Sequence, residues 1–105
     1  MAKKRVFGPA LLAGAAAVLY TVPAGFMFLI RHIHISNPSA GAVDATLSIG
    51  ADAAGTRIFD GRPMPADDVY DWFGYLPMVA GEDIRGWASA AATLNCEISG
   101  DLEAI

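Results

Sequence analysis

At 105 residues, with 54% of them hydrophobic and a mean hydropathy of +0.41, the chain carries more apolar matter than one small core needs. The surplus has to enter a membrane or be covered by other subunits. A formal net charge of −4 and a pI near 4.8 argue against a nucleic-acid binder, and the lone cysteine, Cys96, excludes an intramolecular disulfide and a cysteine-built zinc site.

The length corresponds to a single domain. Lys3, Lys4, Arg5 and Arg31 precede residue 43 with no acid among them, while Arg57, Arg62 and Arg85 face all 11 acids beyond it. We read residues 1–7 as a solvated basic N-terminal arm that makes no nucleic-acid contact. MAKKR followed by VFGPALLAGAAAVLY has the layout of a secretory leader, with Ala13-Gly14-Ala15 as a cleavage-like site. Pro9 and the Pro23-Ala24-Gly25 break interrupt it, however, and no run reaches the ~18–20 apolar residues of a spanning helix. No membrane span is expected. The absence of disulfides fits folding in a reducing cytoplasm.

In chain order, Val6–Leu12 reads as a short strand that Pro9 confines to an edge or bend. Gly14 to Ala17 reads as a connection, and Val18–Val22 as a second strand built on Tyr20, Thr21 and Val22. Val22-Pro23-Ala24-Gly25 is a turn. Phe26–Ser36 is the longest strand. Strict alternation places Phe28, Ile30, His32 and His34 on one face and Met27, Leu29, Arg31, Ile33 and Ile35 on the other, so both faces are apolar for part of its length and both should be covered. Asn37 to Gly41 is a loop by composition.

Val43–Gly50 alternates cleanly, with Val43, Ala45, Leu47 and Ile49 inward. Thr56–Asp60 is a short strand, and Gly61 to Pro65 a loop whose prolines exclude a central strand. Val69–Leu76 is an aromatic strand that Pro77 ends. Gly74 within it marks a bulge or a close backbone approach. Ile84–Ser89 and Thr93–Ser99 follow, with Leu94, Cys96 and Ile98 inward. Gly100 ends the last strand and leaves residues 101–105 as a short tail. About eight short strands with turn signals every 8–12 residues predict an all-β, single-domain β-sandwich or jelly roll.

Three groupings could carry chemistry. His32 and His34 share a strand face and could both reach one metal ion, as the histidine pair of cupins does. Cupins add a glutamate a few residues later, where positions 36 to 39 here are Ser, Asn, Pro and Ser. We therefore expect hydrogen-bonded, metal-free histidines and no cofactor, with His32 and His34 the one candidate pair. Asp67, Asp68 and Asp71 lack the spacing of a calcium loop and read as a solvated turn. Tyr70, Trp72, Phe73, Tyr75 and Trp87 could stack on a sugar. Tyr70 and Trp72 lie on one face of their strand and Phe73 and Tyr75 on the other, so one face should be core and the other a contact. Catalytic triads and phosphate-cradling loops are absent from the sequence, and no enzyme activity is expected.

Taken together, YTVPAG, RHIHISNPSAG, TLSIGADAAGTRIFDG, the WFGY strand and AGEDIRGWASAAATLNCEISG resemble a group of small virion proteins of tailed bacteriophages, especially those of actinobacteria. The resemblance runs from about Gly8 to Gly100. It implies a non-enzymatic, multi-copy β-sandwich subunit, assembled in the host cytoplasm and residing in the virion. Its partners would be other copies of itself and other virion proteins of the tail, its tip, collar or fibres. The alternatives are a head decoration or minor capsid protein, and a module that binds a host-surface glycan. Phe26-Met27-Phe28-Leu29 is greasier than the family's usual polar strand, which implies a buried subunit contact. The expected contact residues are Phe26, Met27, Phe28, Leu29, Tyr70, Trp72, Tyr75 and Trp87.

Overall fold

The computed structural model describes residues 2–105. Its eight strands are β1 (Ala2–Leu11), β2 (Ala17–Thr21), β3 (Phe26–Ser36), β4 (Val43–Ile49), β5 (Arg57–Met64), β6 (Val69–Met78), β7 (Asp83–Ala88) and β8 (Asn95–Ala104). They form two four-stranded antiparallel sheets, ordered β1-β8-β3-β6 and β2-β7-β4-β5. The chain is an all-β sandwich, and this strand order is that of a jelly roll. The shortest dimension, 19 Å, accommodates two stacked sheets and no third layer. No helix among the described residues is long and apolar enough to cross a membrane.

The core is the space between the two inner faces. β3 contributes Phe28, Ile30, Ile33 and Ile35, β8 contributes Cys96 and Ile98, and β4 contributes Val43, Ala45 and Leu47. The face assignment within β3 corrects the sequence reading. Against β8, where Ile30 pairs with Gly100 and His32 with Ser99, Arg31 is an inserted residue that bulges β3; against β6 the register shifts the other way, with Gly74 and Tyr75 both opposite Arg31. One extra residue reverses the inside–outside alternation. Ile33 and Ile35 therefore join Phe28 and Ile30 in the core, and His32 and His34 turn outward. Strict alternation had divided these apolar residues between two faces, and the bulge gathers them on one.

The ends of the chain also differ from expectation. The basic residues are not a free arm, because Ala2 to Arg5 pair with Leu102 to Ser99 inside β1 and β8. For the same reason residues 101–104 are strand rather than tail. Gly100 does not terminate β8. A Cβ at that position would collide with the Leu29 carbonyl, so glycine allows β8 to approach β3. Pro63 lies inside β5 and Pro77 inside β6, where a loop and a strand end were expected. Both strands are sheet edges, where a missing N–H can face solvent without breaking a ladder.

Asn37 ties two loops together. Its side chain is buried, and its Nδ2 donates to the carbonyls of Gly41 at 2.8 Å and Met64 at 2.9 Å. Its Oδ1 accepts from the Ser39 hydroxyl at 2.6 Å. The β3–β4 loop is thereby fastened to the end of β5.

Two glycines with different surroundings test this account. Gly100→Ala should lower unfolding free energy by about 2 kcal/mol or more in urea titrations, because backbone has to move. Gly41→Ala, where a Cβ meets nothing within 4 Å, should change it by no more than about 0.5 kcal/mol. Phe28→Ala should cost about 3–5 kcal/mol by the same assay, since the ring is fully buried in the core.

Candidate functional site

The outer face of the β1-β8-β3-β6 sheet holds the densest set of functional side chains. Paired residues on neighbouring strands share a face, and the register decides the grouping. His34 lies opposite Asp71 on β6 and Glu97 on β8, and His32 lies opposite Phe73 and Ser99. Directly opposed residues on antiparallel strands have Cβ atoms about 4.5–5.5 Å apart, within reach of a short carboxylate. Asp71 thus meets His34 across the ladder and His32 diagonally.

Asp71 Oδ1 accepts hydrogen bonds from His32 Nε2 at 2.7 Å and from His34 Nδ1 at 2.6 Å. An ionised carboxylate only accepts, so both of these nitrogens carry hydrogen. The bonds from His32 and then His34 hold the Asp71 carboxyl below the usual carboxylate range. The His32 ring stacks on Phe73 with centroids 4.4 Å apart and planes 2° from parallel. Phe73 is 73% exposed and Tyr75 is 64% exposed, and both point away from the core.

A basic region adjoins this cluster. Arg31, at the bulge on the outer face, donates from Nε to the Gly74 carbonyl at 2.9 Å and places Nη1 3.6 Å from Asp101. Its guanidinium lies 6.0 Å from the Tyr75 ring centre. Lys3, Lys4 and Arg5 of β1, with Arg31, Ser99, Gly100 and Asp101, border a shallow depression of about 470 Å³. Arg5 also pairs with Glu97 at 3.4 Å.

The expected contact residues do not form one surface. Phe28 and Leu29 are 0% and 3% exposed, so neither offers surface to a neighbouring subunit. That expectation is corrected: Phe28 fills the chain's own core. Phe26 and Met27 are half-buried at the start of β3. Tyr70 and Trp72 face inward and pack against the rim of the core. Arg62 covers Tyr70, with its guanidinium carbon 3.4 Å from the ring centre. Trp87 sits on the other sheet, beneath Arg57 at 5.7 Å. Of the set only Tyr75 is an exposed aromatic, and Trp72, Tyr75 and Trp87 do not converge on one sugar platform.

Two residues named from the sequence fall outside the expected contact and ligand sets. Phe73 is the most exposed aromatic, and its outward alternation with Val69 and Asp71 was legible in VYDWF. Asp71, grouped with Asp67 and Asp68 as a solvated turn, stands instead on β6 and contacts both histidines. Its role depends on the β3–β6 register between residues nearly forty positions apart, for which no local signal exists.

Comparison with family models gives no match, and neither curated proteins nor solved structures provide a significant one.

Cys96 lies in the core, and burial pushes its thiol up to about 12. The reactive thiolate is therefore scarce in the folded state. At pH 8 the folded protein should resist iodoacetamide and become modified at the rate of global unfolding. Mass spectrometry with and without denaturant measures the difference.

Proposed function

We propose that this chain is a non-enzymatic structural subunit that assembles in multiple copies, and that its setting is the virion of a tailed bacteriophage. The observation that carries the assembly reading is the outer face of β6. Val69, Phe73 and Tyr75 stand exposed along one side of an edge strand, where unpaired backbone and apolar side chains favour association with another chain. The occupant of choice is a second copy, because a stripe beside open backbone allows an isologous strand-to-strand contact.

The phage setting rests on the resemblance of the strand and turn phrases quoted above. Within it we favour the tail, its tip or collar over a head decoration. Jelly-roll domains serve capsids and lectins alike, so strand order is common to these roles. The glycan alternative now rests on Phe73 and Tyr75, since Trp72 and Trp87 lie elsewhere.

Sedimentation velocity over a range of concentrations tests the assembly reading. The wild type should form dimers or larger species, and a Phe73→Ser, Tyr75→Ser double variant should shift strongly towards monomer while keeping its melting temperature. A wild type that stays monomeric at all concentrations would overturn the reading. A glycan array bound by the wild type and not by the double variant would replace it with the receptor-binding alternative.

A further inference from the structure

From the geometry we infer that His32, His34 and Asp71 form a binding site for a divalent transition-metal ion of the zinc class on the outer face of the β1-β8-β3-β6 sheet. The donors are two imidazole nitrogens and one carboxylate oxygen, all within 4.8 Å of one another. This donor type suits Zn²⁺, Co²⁺, Ni²⁺ and Cu²⁺ and is poorly matched to Ca²⁺ or Mg²⁺, which take oxygen ligands.

The distances are already close to those of a coordination sphere. With tetrahedral geometry and metal–ligand bonds of about 2.0–2.2 Å, neighbouring donors lie about 3.3–3.6 Å apart. Asp71 Oδ1 lies 2.7 Å from His32 Nε2 and 2.6 Å from His34 Nδ1, so each pair has to open by roughly 0.6–1 Å. The two imidazoles have to draw together. Their side chains are 33% and 26% exposed, which leaves room for that adjustment. On binding, the proton on each coordinating nitrogen leaves it, and a neutral imidazole retains one on its other nitrogen.

Local structure supports the arrangement. The bulge at Arg31 turns both histidines outward, and the β3–β6 ladder places Asp71 beside them. Phe73, stacked on His32, restricts the plane of that ring. Three donors on one side of a sheet leave the remaining coordination positions facing solvent. The ion is therefore held away from the core, where water or a donor from another molecule completes its shell. This inference is independent of the assembly reading.

The test is Zn²⁺ titration of chelator-stripped protein against a chromophoric competitor. The wild type should bind one equivalent, and its melting temperature should rise with Zn²⁺. His34→Gln and Asp71→Asn should each weaken binding about ten-fold or more, a loss that even removal of an outer-sphere partner produces. In the wild type, imidazole nitrogen NMR shifts should mark Nε2 of His32 and Nδ1 of His34 as metal-bound. That reading does not depend on the variants folding. Binding below one equivalent, unchanged affinity in either variant, or shifts at other nitrogens would overturn the site.

Discussion

The central constraint of this molecule is the bulge at Arg31 in β3. β3 is an interior strand of its sheet and pairs along most of its length with β8 on one side and β6 on the other. Before the bulge, Phe28 and Ile30 point into the core; after it, Ile33 and Ile35 do. Without the extra residue, one half of the strand would have to present isoleucines to water and histidines to the core. Burying two imidazoles without partners is costly, and so is exposing two isoleucines. One inserted residue removes both conflicts. Arg31 itself points outward, and its Nε donates to the Gly74 carbonyl.

The same bulge makes the outer face chemically rich. His32 and His34 become neighbours of Asp71 because they have been turned towards it. Phe73 and Tyr75 stand beside them because β6 keeps its alternation through the irregularity: both point outward, while Leu76 remains packed on the core. A polar cluster and an apolar stripe thus lie side by side on a strand at the sheet edge. A surface with stacked aromatics, fixed imidazoles and open backbone has the ingredients for association and for ion binding, and the two need not compete for the same atoms.

Most of the apolar surplus has an internal destination. The greasy start of β3 looked like an intersubunit contact, yet Phe28 completes the core between the sheets. A two-sheet sandwich has two inner faces to fill, and here small residues such as Ala45 and Ala88 stand among the large ones. The Val22-Pro23 turn, which could have been read as the end of a hydrophobic leader, joins two strands of opposite sheets, with Val22 itself in the core. What remains outside is concentrated on β6, with single apolar residues elsewhere that need no special explanation.

The amino-acid sequence by itself determined the element type and the class of fold. Alternation in Val43–Ile49, the turn residues between strands and the aromatic run VYDWFGYL are local signals, and local backbone preference is enough to read them. Even the bounds of β3 were legible. Only the tertiary structure decided which faces point where, and which distant residues meet. Strand parity is reversed by a single bulge, and a bulge is stabilised by the ladders on either side rather than by the residues within it. The glycine at 100 and the prolines at 63 and 77 look alike as strand breakers in the sequence. Their tolerance depends on whether a neighbouring strand approaches closely or is absent, a property of strand order. The meeting of Asp71 with His32 and His34 has the same origin, since register between distant strands follows from packing the whole core.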